Sequence, residues 1–300
     1  MLSNILSKNE FWNRMKKAPW ALVDYKHLRH NFLKSYFLPE ESDKKYREAL
    51  KEQSLFRNIC TVIPGPKGDS TIFVSDTEDK AEWMTPETDL QKNTDEFDRI
   101  KLPAHVLSVI TTLDEDMVLQ EQFDLESHLI NRMAKSFADG EEDAFINGDG
   151  EYKPYGILDD TKGAEVGYST AAIGYHDVVK LYFSVKKKYR KRGCWLMNDE
   201  TAYALRTLQD AGGTYIWNHN NNTILGKPVY ISDFMPNPEQ GKKPIAFGDF
   251  RHFWIVDRLP LCVRDIRELY ATDGHIGYLG HEYLNGILVT QEAIKVLKVI

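Results

Sequence analysis

Leu125, Leu129, Met133 and Phe137 recur at four-residue spacing inside Asp124–Ile146, and this period constrains the chain more than any other feature. A helix with one apolar stripe has to bury that stripe against another element. At about 23 residues it would run ~35 Å, the width of a small domain, so a whole body must be built along it. Asp124 is placed to cap its first turn, and Glu126 suits the positive end of the helix dipole. Asn147-Gly148-Asp149-Gly150 ends it, with glycine expected in a left-handed cap.

The rest of the chain reads as α+β with a mixed or antiparallel sheet. Thr71–Ser75 has strand character, and Ile100–Ile110 alternates, with Val106, Ser108 and Ile110 on the apolar face and Pro103 marking an edge or a bulge. Val178, Leu181, Tyr182, Val185 and Tyr189 form one helical face. A strand over Cys194–Met197 follows, then a helix from Asn198 to Gln209 and a polar loop at Trp217–Asn222. Short strands are expected at 228–231, 245–247, 252–256 and 261–266, with a last pair at 276–290 and 293–299. Strands do not alternate with helices one for one, so a βαβ repeat is excluded.

Charge divides the chain unevenly. Residues 1–57 carry a net +5 and the remainder a net −12. Within the basic part, Leu22, Tyr25, Leu28, Phe32 and Leu33 recur at helical spacing, and Pro39 opens a second short helix over Glu40–Leu50. The segment therefore reads as a helical arm, with no compact core of its own. Residues 76–98 hold nine acidic side chains and two lysines around Trp83-Met84 and Pro86. A stretch this polar has nothing to bury, so it should project from the body, and Trp83 within it calls for an apolar partner on another chain.

Chemical motifs are sparse. The three cysteines, Cys60, Cys194 and Cys262, form no CxxC and sit among apolar neighbours, as buried thiols do in a reducing compartment. No apolar run is long enough to span a membrane, and the first 19 residues lack the apolar core of a secretion signal. There is no GxGxxG, Walker loop or GxSxG, and Gly148-Asp149-Gly150 follows a helix where a phosphate turn would precede one. His281-Glu282 begins like HExxH, but Asn285 stands where the second histidine belongs. His275 and His281 are expected to be solvent-facing, and Asp114-Glu115-Asp116 a solvated run. Lys186–Lys188 and Arg190–Arg192 suit the C-terminal turn of a helix. No catalytic residue, cofactor or metal is assigned. A soluble hydrolase built on His275, His281 and Glu282 is the rival from another class, and it lacks a nucleophile.

One ordered series of segments is familiar. It runs from Glu142-Asp143-Ala144-Phe145-Ile146-Asn147-Gly148 and Pro154-Tyr155-Gly156-Ile157 through Trp195-Leu196-Met197-Asn198 to Thr223-Ile224-Leu225-Gly226-Lys227-Pro228-Val229. Ser232-Asp233, Met235-Pro236, Pro244-Ile245-Ala246-Phe247-Gly248-Asp249-Phe250 and Asp257-Arg258 complete it. In this order the chain resembles the major capsid proteins of tailed bacteriophages with the Hong Kong 97-type fold, over about residues 55–300.

The resemblance implies an N-terminal arm (1–57) and a peripheral domain (58–165 and 276–300) with an extended loop at about 68–99 and a spine helix at about 124–146. It also implies an axial domain (166–275), whose loop Trp217–Asn222 would gather at the symmetry axes, with Trp217 and Asn220 as contact candidates. Trp83 would anchor the extended loop on a neighbour, and Lys80 and Lys92 would set its register. The function implied is structural: pentamers and hexamers closing into an icosahedral head, part of the virion, assembled in the host bacterial cytoplasm around double-stranded DNA. A portal protein is an implied partner, as is a separate scaffolding protein unless the basic arm does that work; the arm would touch packaged DNA weakly and without sequence preference. An encapsulin-type nanocompartment is the alternative with the same fold. Some members cross-link through a lysine–asparagine bond, but the corresponding loop, Thr272-Asp273-Gly274-His275, has no asparagine, so no cross-link is expected.

Overall fold

The computed structural model describes residues 7–17, 36–65, 70–74, 98–209, 212–218 and 220–300. The long helix forms over Leu125–Asn147 (α5), and Asp124 caps it by accepting the Ser127 amide at 3.1 Å. Its end differs from expectation. Gly148 is extended, and the left-handed residue is Gly150, two positions later in the turn that leads to Tyr155.

Two helices cover one flank of α5. Lys8–Lys17 (α1) buries Phe11, Trp12 and Met15, and after the two-residue strand Tyr36–Phe37 (β1) the helix Glu40–Gln53 (α2) buries Tyr46 and Leu50 in the same core. Arg267 donates to the Met15 and Lys16 carbonyls at 2.9 and 2.8 Å, which satisfies the last turn of α1. These helices are thus part of the folded body, which corrects the reading of 1–57 as an arm without a core. The periodic residues Leu22–Leu33 lie outside the described residues.

The other flank is a five-stranded sheet. The short helix Leu55–Ile59 (α3) leads into Thr61–Pro64 (β2), and Ser70–Val74 (β3) pairs with Asp98–Leu102 (β4) as a separate ribbon. His105–Asp114 (β5), a turn of helix at Glu115–Leu119 (α4), and two 14-residue strands, Phe253–Ile266 (β12) and His275–Leu288 (β13), supply the rest. The order is β1-β12-β13-β5, with β2 running parallel beside the start of β12. Gly280 and Gly286 let α5 approach β13 closely: a Cβ at Gly286 would lie 2.7 Å from the Phe145 ring, and one at Gly280 3.0 Å from the Met133 sulfur.

A seven-stranded sheet forms the second lobe. Its elements are Glu165–Thr170 (β6), Tyr175–Ser184 (α6), Lys187–Arg190 (α7), Cys194–Met197 (β7), Asp199–Arg206 (α8), Trp217–Asn218 (β8), Thr223–Ile224 (β9), Lys227–Ile231 (β10), Ile245–Gly248 (β11) and Ile294–Val299 (β14). The order is β6-β14-β11-β7-β10-β9-β8. Two boundaries therefore move. β12, read from sequence as part of residues 166–275, pairs with β13 and β5; β14, read with 276–300, pairs with β11 and β6. Phe56, Phe145, Phe250 and Phe253 pack ring to ring at 5.3–6.3 Å in the core shared by both sheets.

One buried ionic cluster ties helix to sheet. Arg57 of α3 donates to both oxygens of Glu141 (2.7 and 2.5 Å) and to both oxygens of Asp257 (2.9 Å each). Glu141 is on α5 and has no exposed surface; Asp257 is on β12. Two forks on one guanidinium satisfy its planar donor set. Beside them the Tyr46 hydroxyl donates to Glu282 Oε2 at 3.0 Å. Burial first, and the Glu141 carboxylate second, push the Glu282 carboxyl well above its ordinary 4.5.

A pH dependence with a fixed sign follows. The folded subunit holds a proton on Glu282 that the unfolded chain gives up, so this contribution is complete below about 4.5 and is lost as pH climbs through the raised value. Urea unfolding from about pH 5 to 9 should show falling stability, and Glu282→Gln, a permanent neutral mimic, should flatten the decline. An unchanged slope in the variant would contradict the assignment.

Candidate assembly surfaces

The root of the acidic segment is built from main-chain bonds. β3 and β4 pair from Ser70↔Leu102 to Val74↔Asp98, which sets the two ends of residues 75–97 side by side. The single strand expected over Ile100–Ile110 breaks at Pro103-Ala104 into β4 and β5, because proline offers no ladder donor there. The buried Arg258 donates to the Leu102 and Pro103 carbonyls, and Asn285 Nδ2 donates to Pro103 O at 2.5 Å. The ribbon thus leaves the body from a fixed point. The break also reverses the expected face of β5: Leu107, Val109 and Leu113 point inward while Val106 and Ile110 are exposed.

Lys80, Trp83 and Lys92 fall outside the described residues. Trp217 and Asn220 do not, and they separate. The Trp217 ring is 1% exposed, donates from Nε1 to Asn222 Oδ1 at 3.1 Å, and lies under Arg206 with 4.8 Å to its centroid. Its side chain is a core group of the second lobe, which corrects its expectation as a contact with another subunit: the β8–β9 hairpin turns the ring inward onto Ile224 and Leu205. Asn220 is exposed, with its amide on Asn218 Oδ1 at 3.0 Å, so the polar tip of the hairpin faces outward.

The weaker chemical candidates do not assemble. His281 is 2% exposed, against the expectation of a solvent-facing ring, and adjacency in β13 puts it on the opposite sheet face from Glu282. His275 sits at the far end of the strand with Nδ1 on Asp273 O. Asp114 caps α4 through the Met117 amide at 3.1 Å. Burial raises all three thiols, those of Cys194 and Cys262 to about 12, which leaves them poor nucleophiles. No group of three or more metal-ligating side chains occurs among the described residues.

What remains is a rigid two-lobed body with a pinned projecting ribbon, and comparison places that shape. The phage capsid family model matches residues 34–299. The chain belongs to the phage capsid family. Among solved structures, the capsid of an empty GTA (gene transfer agent) particle is 30% identical, with a TM-score of 0.69 over 82% of this chain and 89% of that one. The capsid of the native GTA particle is also 30% identical, at 0.66 over 81% and 89%. The matched chain of Gordonia phage Cozz shares the fold at 14% identity, at 0.57 over 82% and 86%. No curated protein sequence matches. The α+β fold is that of phage capsid proteins, consistent with the Hong Kong 97 type, and the chain is a structural component of a capsid.

Three substitutions separate core, hairpin tip and ribbon root in this capsid protein. Trp217→Ala should cost about 3–5 kcal/mol in urea unfolding, whereas Asn220→Ala should stay within about 0.5. Arg258→Ala should cost about 2–3 kcal/mol and speed hydrogen exchange across residues 98–104, since it strips the buried Leu102 carbonyl of its charged donor and leaves Pro103 O to Asn285 alone.

Proposed function

We propose that this chain is the major capsid protein of a tailed phage or phage-like particle, forming the pentamers and hexamers of an icosahedral head around double-stranded DNA. The observation that carries the proposal is the two-lobed body with its clamped ribbon, matched over 82% of its length by a 30%-identical capsid chain. In this reading α5 is the spine helix, and the five-stranded sheet with α1 and α2 is the peripheral domain. The seven-stranded sheet is the axial domain, and 68–99 is the extended loop. The exposed tip around Asn220 approaches the symmetry axes. Heterologous contacts that close by rotation give rings, and rings joined at many points give a shell. Each contact can be modest because the copies act together through effective concentration.

The extended loop carries the contact between neighbours, with Trp83 as its apolar anchor and Lys80 and Lys92 setting register within the acidic run. Head assembly takes place in the host cytoplasm, with a portal protein at one vertex and a scaffolding protein guiding curvature. Contact with DNA is weak and salt-dependent.

Expression of the chain together with the other head proteins of its particle, and sedimentation of the product, test this. Megadalton particles holding nuclease-protected DNA are expected; particles filled with a protein cargo instead would point to a nanocompartment, and a persistent monomer would refute the capsid assignment. Trp83→Ala should leave the unfolding midpoint unchanged and reduce particle yield by roughly tenfold or more, the scale of losing one interface hot spot. Normal yield from that variant would remove Trp83 from the contact.

A further inference from the structure

Lys187, Lys188, Arg190, Lys191 and Lys227 frame a groove that the fold of the subunit does not use, with Arg192 next in sequence. Tyr182, Lys187, Lys188, Arg190, Lys191 and Lys227 line about 670 Å³ at the surface of the second lobe. Six of the seven residues from Lys186 to Arg192 are cations. Complementing a helix dipole does not explain them. α6 ends at Ser184, before the first of them, and α7 is a single turn of four residues, too short for a dipole that would call for six cations. Glu292 engages Lys186 at 2.5 Å and Lys188 at 3.7 Å. Lys187, Lys191 and Arg192 are exposed and hold no ion pair among the described residues.

Tyr182 lines one wall, and Phe183 stands beside it against Arg190. The Arg190 guanidinium lies 4.9 Å from the Phe183 ring centre and 5.3 Å from that of Tyr182, and its Nε is buried without a hydrogen-bond partner among the described residues. Phe183 is 63% exposed, a large apolar ring beside a field of positive charge. The ligand this fits is an extended acidic peptide that also carries apolar side chains. Duplex DNA matches the charge but keeps its bases stacked inside, and so leaves Phe183 unused.

The chain itself contains such a peptide. Residues 76–98 combine nine acidic side chains with Trp83, Met84, Leu90 and Phe97. We propose that the groove receives segment 76–98 of a second copy of this chain, its carboxylates against Lys187, Lys191 and Arg192 and an apolar side chain against Phe183. The inference rests on the shell reading above, in which that segment reaches a neighbouring subunit, and adds the surface on which it lands.

Charge exchange between full-length chains tests this. One variant reverses the groove (Lys187→Glu, Lys191→Glu, Arg192→Glu); the other reverses the segment (Glu78→Lys, Asp79→Lys, Glu82→Lys, Glu87→Lys). Each alone should keep the wild-type melting temperature and lose particle yield by roughly tenfold or more, since like charges then face each other at every copy of the contact. Mixing the two should restore closed rings of even number, because each variant's segment now matches the other's groove. Normal assembly by either variant alone would overturn the proposal. So would failure of the mixture to recover, which would place the contact within one subunit or elsewhere. Shells that form normally from the groove variant but lose protected DNA would assign the groove to nucleic acid instead. A wild-type chain that forms no particles would refute the capsid reading itself, independently of these variants.

Discussion

The guanidinium of Arg57, gripped by Glu141 from the spine helix and Asp257 from the sheet, sets the geometry on which the rest of the subunit depends. Burying Glu141 and most of Arg57 is expensive, and the arrangement holds because all three guanidinium nitrogens donate to carboxylates. Removing one partner would strand the others, at about 3–5 kcal/mol. The cluster also dictates its surroundings. Burial and the neighbouring Glu141 carboxylate raise a third carboxyl, Glu282, which takes its hydrogen bond from Tyr46. Helix α2 is thereby joined to the same point as α3, α5, β12 and β13.

That rigidity has a use in a shell. Contacts between copies add up only if each subunit presents its surfaces at fixed angles, and the spine helix is held at several points along its length. Glycines at 280 and 286 bring the helix onto the sheet, the phenylalanine cluster locks its C-terminal end to both lobes, and α1 and α2 cover its N-terminal half. Against this body, the ribbon β3–β4 departs from carbonyls clamped by Arg258 and Asn285. A stiff body with a steered projection suits assembly by exchange of segments between neighbours.

Local signals explain what the sequence made legible. The four-residue period and Asp124 cap of α5, the buried run Cys194–Met197 and the cap at Asn198 all act within a few residues, and they formed as read. The ordered fragments from Glu142 to Arg258 pointed to the family. Long-range choices were hidden. Arg57 meets partners 84 and 200 positions away, so no local pattern announces the cluster. β14 follows β13 closely yet joins the other sheet, and only pairing with β11 and β6 reveals it. In β5, Val106, Leu107, Val109 and Ile110 put apolar side chains on both faces, and the break at Pro103 decides which face is buried. Trp217 was masked by its neighbours: Asn218 and Asn220–Asn222 make a polar tip, while the ring itself turns into the core.

The central claim is that a rigid subunit assembles by passing its acidic segment onto a neighbour. Electron cryomicroscopy of the assembled particles, at a resolution that shows side chains, tests it most directly. The account predicts the body unchanged, with Arg57 between Glu141 and Asp257, and residues 76–98 lying on an adjacent copy within reach of Lys187 and Lys191. Density for that segment folded against its own subunit, or a shell held together without it, would contradict the account.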